Sequence, residues 1–403
     1  MKAAIMGYGT IGSGVYEVLD KNCKSVEKKA GEPIAVKYIL DLREFPGSPV
    51  EKLVIHDVEQ IVNDPEIGIV VETMGGTKPA YEFVKRCLLA GKHVVTSNKA
   101  LVAAHGTELI RIAAEKNISF LFEASVGGGI PIIRPLVESL GGEEILEISG
   151  ILNGTTNYIL TKMNEEGWSF EEALKRAQEL GYAECNPEAD IEGYDTCRKI
   201  AILTAVATGK EVNYEEIPTQ GITKITSMDS SYAAHMGAAI KLFGTSVNKD
   251  GKIYLEVAPV LVDAKDPLYA VTDVFNGILV VGNMLGASMF YGSGAGKLPT
   301  ASAVVGDMVS AVRFGDEPEK IGWSSEKLEV HPAAELSRKY FARFEGSERA
   351  KKEAVAAAFG DVKFVTLEGT DEFAVLTGEM TGEEFDAAAA KVGGLRQKIA
   401  ARL

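Results

Sequence analysis

Cysteine and histidine are scarce in this chain of 403 residues. Its four cysteines form no CxxC pair, and its five histidines form no HxxH or HExxH pattern. These absences argue against a disulfide framework and against a zinc site, and they favour a reducing compartment. Long hydrophobic runs are missing as well, because IAILTAVATG and GILVVGNMLGASMF fall short of the roughly 18 residues that cross a bilayer. We therefore expect no association with a membrane.

Positive charge is also in short supply. The 42 lysines and arginines are outnumbered by 57 aspartates and glutamates, which gives a net charge of -15 at pH 7. Such a chain lacks the basic excess that draws proteins to nucleic acid or to anionic lipid. Its first residues read as a strand rather than as a signal peptide, and its composition is that of a globular protein. We expect a cytoplasmic protein of about two or three domains whose ligands are small molecules.

The segment KAAIMGYGTIGSGVYEVLDK predicts a strand, a tight turn and an amphipathic helix. Its turn carries Gly7, Gly9 and Gly12 in a GxGxxG pattern, with Thr10 and Ile11 between the last two glycines. One glycine makes the turn, one lets the backbone approach a pyrophosphate, and one lets the helix pack on the strand. A lone GxGxxG is weak, but here it lies between a strand and a helix. The segment therefore predicts a Rossmann-like domain that binds NAD or NADP.

The second predicted strand, IAVKYILD, ends in Asp41. In dinucleotide-binding folds an acid at this place accepts hydrogen bonds from the adenosine ribose, although Asp41 is equally consistent with a turn residue. Arg43 follows two residues later and places a guanidinium within reach of a 2′-phosphate. The choice between NAD and NADP therefore stays open at this point.

Further strand ends supply polar side chains to the same edge of the predicted sheet. The run GIVVETMGG ends near Thr73, and HVVTSNKALVA places Ser97 and Lys99 where a strand passes into a helix. Ligands of open parallel sheets bind at the carboxyl ends of the strands, so these residues are candidates for the cofactor rim. Lys99 is the cation at that edge; the alternative is an ordinary lysine at a helix start.

Two glycine-rich segments allow close approaches of the backbone. In FEASVGGGIPII, Glu123 precedes three glycines whose carbonyl groups could turn inward around a cation, although a flexible crossover explains the same pattern. In YGSGAGKLPT, Gly294 lies in a second run of glycines, which is consistent with either a close approach or a hinge.

The stretch GYAECNPEADIEGYDTCRKIAIL brings five carboxylates to the start of one helix. Asp195 and Lys199 are spaced as an ordinary surface pair, and carboxylates favour helix N-termini. From Ile200, however, the helix is apolar on nearly every face, which places Lys199 at the mouth of a buried helix. A lysine at such a boundary is a candidate for proton transfer.

The order of predicted strands and helices indicates an α/β protein with three parts. We predict a dinucleotide-binding domain over 1–130 with 298–315 returning to it, and a second α+β domain over 131–297. Asp316 to Ser325 is polar and rich in turn residues and predicts a linker. Beyond it, a small α/β module over 335–403 is predicted to contain a strand, a helix, two strands and a final helix.

Several motifs taken together resemble homoserine dehydrogenase, in order and over about residues 1–312. They are GYGTIGSGV, VVETMGG, TSNKALVA, FEASVGGGIPII, ILNGTTNYIL, GYAECNPEADIEGYDTCRKIAIL and YGSGAGKLPTASAVVGD. The resemblance implies the reversible NAD(P)-dependent interconversion of L-homoserine and L-aspartate 4-semialdehyde, which serves threonine and methionine synthesis. It also implies a homodimer formed through the middle domain.

The resemblance implies roles for individual residues. Lys199 corresponds to the general acid–base and Lys99 to a second essential lysine. Glu184 and Asp195 correspond to carboxylates that hold the substrate, and Asp190 to an acid beside the catalytic lysine. The remaining implied positions are Gly181 and Gly294 near the nucleotide, and a monovalent-cation site, usually for sodium, at Glu123 with the carbonyls of Val126, Gly128 and Ile130.

The sequence departs from the family pattern in two places. Leu40 stands where many relatives have an arginine that addresses the 2′-phosphate of NADP. The tail resembles a degenerate ACT domain in its order of elements and is predicted to lack the final strand. Two alternatives are a related semialdehyde oxidoreductase, which would need a thiolate nucleophile, and a nucleotide-sensing protein without turnover, which would not need two lysines.

Overall fold

The structure, a computed structural model, describes residues 1–315, 317–318 and 321–403. The described chain forms two compact units. The first unit comprises residues 1–143, 201–214 and 292–328, and the second comprises residues 144–200, 215–291 and 329–403. The domain limits predicted above stay predictions.

The strands are, in chain order, β1 Lys2–Met6, β2 Ala35–Leu40, β3 Val54–Ile55, β4 Ile67–Glu72, β5 His93–Thr96, β6 Phe120–Leu121, β7 Ile145–Ile151, β8 Ala238–Lys249, β9 Lys252–Asp263, β10 Phe275–Gly282, β11 Gly286–Ser293, β12 Val330–Pro332, β13 Lys339–Glu345, β14 Lys363–Val365, β15 Glu372–Leu376 and β16 Leu395–Arg402.

The α-helices are, in chain order, α1 Thr10–Lys21, α2 Cys23–Ala30, α3 Glu59–Val62, α4 Ala80–Leu89, α5 Lys99–Lys116, α6 Gly154–Glu166, α7 Phe170–Glu179, α8 Glu188–Ile191, α9 Tyr194–Thr208, α10 Ser227–His235, α11 Lys297–Phe314, α12 Glu348–Phe359 and α13 Gly382–Val392. Among them, in the part of the chain that the structure describes, none combines the length and apolarity required to cross a membrane.

The first unit contains a six-stranded parallel sheet in the order β3-β2-β1-β4-β5-β6. The central strands read as almost continuous apolar runs, because helices cover both faces of a parallel sheet. Ala3 to Met6 of β1 are fully buried, for example. The connection order reverses between β1 and β4, and such a switch point forms a ligand crevice at the carboxyl ends of the strands.

Helix α11 joins this unit from a distant part of the sequence. Val304 and Met308 share a buried cluster with Ile5 and Val15 of the first strand and helix. A Cβ atom at Gly14 of α1 would lie 2.8 Å from the carbonyl oxygen of Lys297, so the two helices pack too closely for a larger residue. The core of the first unit therefore depends on α11.

The second unit is built on a sheet of ten strands. Nine follow the order β11-β10-β7-β8-β9-β16-β13-β15-β14, and β12 pairs with β9. The long pair β8 and β9 is antiparallel over twelve residues each. This sheet supports α6 and α9, whose first turns carry the polar side chains described below.

The tail differs from its predicted order at the end. Leu395–Arg402 is strand β16, where a helix was predicted, and it pairs with β13 and β9. Residues 339–402 thus contain β13, α12, β14, β15, α13 and β16, the βαββαβ order of ferredoxin-like folds. The prediction that the tail lacks a final strand was wrong. Alternate residues of β16 are buried, so its tertiary contacts override the helix preference of alanine, lysine and arginine.

The predicted linker is packed where the structure describes it. Asp316, Glu319 and Lys320 lie outside the described residues. Trp323 is buried, and its indole nitrogen donates a hydrogen bond of 3.0 Å to the hydroxyl of Thr107. This part of the segment is therefore a fixed piece of the first unit rather than a linker.

Candidate active site

The predicted glycine turn lies at the carboxyl end of β1. Gly7 has φ +94°, which glycine adopts without strain. A Cβ atom at Gly12 would lie 1.9 Å from the carbonyl oxygen of Gly7, whereas one at Gly9 would meet nothing within 4 Å. Gly12 is thus required by the turn itself, while Gly9 leaves open space above the first turn of α1. Thr10 and Ile11 begin that helix, whose amides are available to an anion.

Thr73 stabilises this turn rather than projecting from it. Its hydroxyl donates a hydrogen bond of 2.8 Å to the carbonyl oxygen of Gly7. Its backbone amide donates a hydrogen bond to the carbonyl oxygen of Met6. Thr73, a predicted cofactor residue, therefore fixes the backbone of the glycine turn.

Asp41 lies at the end of β2 beside the glycine turn, as Rossmann folds require. One of its carboxylate oxygens accepts a hydrogen bond of 2.7 Å from the amide of Tyr8. Both oxygens also accept hydrogen bonds from the side chain of Arg43. The Arg43 guanidinium holds the pKa of Asp41 well below its usual range, so the carboxyl is ionised. The structure thus joins the two residues that the sequence offered as alternatives for nucleotide recognition.

A buried acid, Glu72, connects the ends of β4 and β5. Its carboxylate accepts hydrogen bonds of 2.6 Å from the Thr96 hydroxyl and 2.8 Å from the Met74 amide. Burial raises the pKa of Glu72, and these hydrogen bonds oppose that shift. The Thr96 hydroxyl in turn accepts the amide of Asn98, whose side chain caps α5 at Leu101. The network fixes the helix start that carries Lys99.

Ser97 and Lys99 lie within this network at the rim of the sheet. The amide of Ser97 donates to the carbonyl oxygen of Glu72, and Lys99 is the first residue of α5 and is half-buried. Both therefore lie at the strand ends where the sequence predicted them.

Glu123 orders the backbone of the glycine-rich segment. Its carboxylate accepts three hydrogen bonds of 2.6 to 2.9 Å, from the amides of Ile132, Ile133 and Arg134. A carboxylate engaged in this way has little capacity left for a cation. Asp307 of α11 accepts the amide of Glu123 and pairs with the Arg134 guanidinium at 2.6 Å.

The three glycines that follow are packed against backbone. A Cβ atom added to Gly127 would lie 2.5 Å from the carbonyl oxygen of Ile130. One added to Gly128 would lie 2.3 Å from the carbonyl oxygen of Gly294, and one added to Gly129 would lie 2.7 Å from Pro299. The two glycine-rich segments therefore meet at a close approach rather than forming a hinge or a flexible crossover. Val126 and Ile130 are buried in this turn. Carbonyl oxygens crowded into such a turn are suitable ligands for a hard cation.

The second unit holds the predicted catalytic lysine at a dry position. The Lys199 side chain is 9% exposed, and its ammonium nitrogen lies 2.8 Å from a carboxylate oxygen of Asp195. The same nitrogen donates a hydrogen bond of 2.6 Å to the carbonyl oxygen of Leu152. The pair is therefore buried and doubly held, unlike the surface pair that its spacing also allowed. Asp195 contacts the lysine directly, and the charge of Lys199 also acts on Asp190, the acid that the resemblance places beside it.

Asp190 joins this group through Asn153. The side-chain amide of Asn153 donates hydrogen bonds of 2.8 Å to Asp190 and 2.9 Å to Asp195. Burial raises the pKa of Asp190, and the charge of Asp195 raises it further. Hydrogen bonds from Asn153 and Thr155 and the charge of Lys199 oppose this shift. The arrangement can bind an ammonium group and exchange a proton with a nearby oxygen.

Glu184 and Gly181 lie on the exposed segment between α7 and α8. Gly181 has φ +76° and Glu184 is exposed, with its backbone oxygen accepting a hydrogen bond from Gln178. The structure thus brings Asp190, Asp195 and Lys199 into one cluster and leaves Glu184 outside it.

The cysteines offer no buried nucleophile for thioester chemistry. Burial raises the pKa of the Cys197 thiol and raises that of Cys87 to about 12, so both are inert thiols. Cys185 is exposed on the same segment as Glu184.

Sequence reasoning missed part of this site. The bridging role of Asn153 was not predicted, because it depends on acids 37 and 42 residues further along the chain. Glu72, Leu152 and Asp307 lie inside the quoted motifs and Arg134 follows one, but the sequence analysis assigned none of them a role. Of these residues, Glu72 was the one that the sequence could have singled out, because an acid at the end of a buried apolar strand needs hydrogen-bond partners.

Comparison with known proteins identifies the chemistry. The family model of homoserine dehydrogenase matches residues 131–309, and that of the homoserine dehydrogenase NAD binding domain matches residues 7–123. A homoserine dehydrogenase from Synechocystis sp. is 42% identical over 358 residues, which cover 85% of this chain and 82% of that protein. The chain belongs to the homoserine dehydrogenase family. Both predicted alternatives, a related semialdehyde oxidoreductase and a sensor without turnover, are thereby set aside.

Solved structures agree with this assignment. A homoserine dehydrogenase from Thiobacillus denitrificans superposes with a TM-score of 0.91 at 33% identity, covering 100% of this chain and 98% of that chain. A hyperthermophilic archaeal homoserine dehydrogenase in complex with NADPH gives a TM-score of 0.67 at 29% identity, covering 77% of this chain and 97% of that chain. The Rossmann-like fold and the dependence on NAD(P) are confirmed for the family to which this chain belongs.

Proposed function

We propose that Lys199 is the general acid–base in the interconversion of L-aspartate 4-semialdehyde and L-homoserine. One observation carries this proposal: the Lys199 ammonium is buried and held between the carboxylate of Asp195 and the carbonyl oxygen of Leu152. A lysine fixed in this way delivers a proton along a defined direction, and a buried position excludes water as a competing donor.

In the reduction, different residues of this chain transfer the proton and position the substrate. When bound, the reduced nicotinamide supplies a hydride to the aldehyde carbon. Lys199 then gives a proton to the resulting alkoxide oxygen and becomes a neutral amine, which can still donate to Leu152. In the oxidation of homoserine, the neutral amine takes the hydroxyl proton. Lys99 is proposed to hold the substrate at the nicotinamide edge.

The acidic residues suit an amino-acid substrate. L-Homoserine carries an ammonium group, and we assign it to Glu184 and Asp195, with Asp190 beside them. We propose that the homoserine that this enzyme forms is a precursor of threonine and methionine, and that the protein acts in the cytoplasm.

Support for each nucleotide comes from a different feature. Asp41 offers an acceptor for the ribose diol of NAD, and Leu40 replaces the arginine that favours NADP in many relatives. Arg43 supplies a cation two residues later, and the archaeal relative was solved with NADPH. Because Asp41 is ionised, a 2′-phosphate would face a negative charge. We propose that NAD is used at least as well as NADP.

A monovalent cation, most simply sodium, is proposed to bind the carbonyl oxygens of Val126, Gly128 and Ile130. The packed glycines support this assignment, because the backbone oxygens of Ile130 and Gly294 lie against Gly127 and Gly128, where no side chain fits. Glu123 is proposed to order the segment through its amide contacts rather than to bind the cation with its carboxylate.

A homodimer formed through the second unit is also proposed. Strand β11 is at one end of the ten-stranded sheet, and its neighbourhood exposes Met284, Leu285, Met289 and Tyr291. An exposed apolar group beside a sheet edge favours association with another surface. Light scattering that gives the mass of one chain at micromolar concentration would refute the dimer. The βαββαβ tail is proposed to be ACT-like, without an assigned effector.

The proposed role of Lys199 is tested by replacing it with methionine. Lys199→Met should lose about 10²–10⁴-fold in kcat for homoserine-dependent reduction of NAD(P)+, because the acid–base group is gone. Nucleotide binding should persist, since the glycine turn is untouched. Lys210→Met is the matched control: it removes a lysine from a surface pair with Glu326 and should leave activity unchanged. Turnover within tenfold of wild type in Lys199→Met would overturn the proposal.

A further inference from the structure

Asn153 uses both ends of its side-chain amide. Its oxygen accepts the amide of Thr156 at 2.9 Å and thereby caps α6. Its nitrogen donates to Asp190 at 2.8 Å and to Asp195 at 2.9 Å. Because the oxygen is fixed by the cap, the nitrogen must face the two carboxylates, and the amide cannot be turned the other way without losing three hydrogen bonds.

The residue before it completes the arrangement. The carbonyl oxygen of Leu152 accepts a hydrogen bond from Lys199, which also contacts the oxygen of Asp195 that Asn153 binds. Two consecutive residues at the start of α6 therefore hold the lysine and both acids.

The two carboxylates need such a bridge. Asp190 is half-buried and Asp195 is buried; they carry like charge, and each would favour protonation of the other. The groups that face Asp190 are Asp195 and Lys199 from α9, and Asn153 and Thr155 from the start of α6. Asn153 gives one N–H to each acid, which lowers the cost of keeping both ionised.

We propose that Asn153 is a positioning residue of the reaction, which keeps Asp190 and Asp195 ionised together and thereby determines the affinity for the ammonium group of homoserine. This inference rests on the proposed role of Lys199 and the acids. Asn153 is not a catalytic residue in this account, because it acts through the carboxylates rather than on the substrate. The competing explanation is that Asn153 only caps α6.

Two substitutions separate these explanations. Serine and aspartate are both good N-cap residues, so Asn153→Ser and Asn153→Asp retain the helix cap. Serine cannot donate to both acids, and aspartate adds a third negative charge. If Asn153 were only a cap, Asn153→Ser would behave like wild type, and only the added charge of Asn153→Asp would alter the pH profile.

The expected result is a change in substrate affinity and in pH dependence. Loss of the N–H donors raises the pKa of Asp190, so a smaller fraction is ionised at a given pH and the acid limb of kcat/KM for homoserine moves to higher pH. We expect that shift to be about one pH unit for Asn153→Ser and larger for Asn153→Asp, with KM for homoserine raised about tenfold or more at neutral pH. KM for NAD(P) should stay within about twofold, since the first unit supplies the glycine turn.

The position of an acid limb does not depend on how much active protein is present, so a loss of folded material cannot imitate this result. Ser347→Ala serves as the matched control, because it removes the N-cap of the remote helix α12. It should lower the melting temperature and leave the pH profile unchanged.

An Asn153→Ser profile that coincides with wild type would overturn this inference. Equal increases in KM for homoserine and for NAD(P) would overturn it as well. Lys199→Met, measured in parallel, distinguishes the two proposals. If that variant is inactive while Asn153→Ser is normal, the inference on Asn153 alone fails. If Lys199→Met retains turnover, the proposed function fails first.

Discussion

The guanidinium of Arg43 donates two hydrogen bonds of 2.9 Å to the carboxylate of Asp41. The arginine side chain is 60% exposed and lies over the ring of Phe45, whereas the Asp41 side chain is 8% exposed. The acid that would accept the ribose diol is thus already paired with the cation that would bind a 2′-phosphate. The preference between NAD and NADP therefore depends on whether the bound nucleotide contacts mainly the Asp41 carboxylate or mainly the Arg43 guanidinium.

Arg43→Ala is expected to reduce the use of NADP selectively. A 2′-phosphate would then meet the ionised Asp41 without a compensating charge, whereas a ribose diol needs only the carboxylate. We expect kcat/KM for NADP to fall by about tenfold, equivalent to about 1.4 kcal/mol, and kcat/KM for NAD to change by about twofold or less. Steady-state kinetics with both nucleotides provide the measurement. Equal losses for the two would show that Arg43 acts on the fold of the pocket instead.

His56 should make this preference depend on pH. Its two ring nitrogens lie 2.7 Å from the Asp41 carbonyl oxygen and 2.7 Å from a Glu44 carboxylate oxygen. Both contacts favour the doubly protonated ring and raise the pKa of His56 above its model-compound value of 6.5.

Below that raised pKa, His56 is a cation in contact with the backbone of Asp41 and favours a 2′-phosphate. Above it the ring is neutral. The ratio of kcat/KM for NADP to that for NAD should therefore fall as the pH rises through the raised pKa of His56, in a range where the 2′-phosphate itself stays charged. His56→Gln should flatten the dependence, and a ratio that stays flat in the wild type would contradict the prediction.

Local constraints are the part of this protein that sequence reasoning could predict. The glycine turn is specified by residues close together in the sequence: Gly7 follows β1, Gly12 lies in the first turn of α1, and a side chain at Gly12 would clash with Gly7. The family motifs similarly located Lys199 and the acids. The contacts that Asn153 and the Leu152 carbonyl oxygen make with this group were not predicted, because they join residues that are distant in the sequence.

Strand β16 is an element whose type could not be predicted from its own sequence. Its sequence, LRQKIAAR, contains mostly residues that favour helices. It becomes a strand because β13 and β9 offer pairing partners on either side, and these are distant in sequence. Long-range pairing of this kind outweighs the intrinsic preferences of a short segment.

Glu184→Gln tests whether the exposed acid binds the substrate. Loss of its charge should raise KM for homoserine several-fold, about tenfold at most because the residue is exposed, and leave KM for NAD(P) unchanged. Glu188→Gln is the matched control, since Glu188 is an exposed acid in the same acidic stretch. Equal effects of the two substitutions would mean that the general negative charge of the stretch, rather than Glu184, attracts the substrate.

The glycine turn offers a contrast between two alanine substitutions. Gly12→Ala places a Cβ atom 1.9 Å from the Gly7 carbonyl oxygen, a clash that exists without any ligand. The backbone must shift, so we expect a loss of about 1–3 kcal/mol in the free energy of unfolding together with weak nucleotide binding. Gly9 has φ −80°, which alanine tolerates, and its Cβ atom would meet nothing within 4 Å.

Gly9→Ala should therefore retain the stability of the wild type. Its added methyl group would occupy the open space through which a pyrophosphate approaches the start of α1, so KM for NAD(P) should rise by about tenfold or more while KM for homoserine stays the same. Thermal melting without nucleotide measures the first effect, and steady-state kinetics measure the second. If Gly9→Ala binds nucleotide normally, the pyrophosphate does not approach α1 at Gly9. If Gly12→Ala is as stable as the wild type, the close contact between Gly12 and Gly7 is not what requires glycine there.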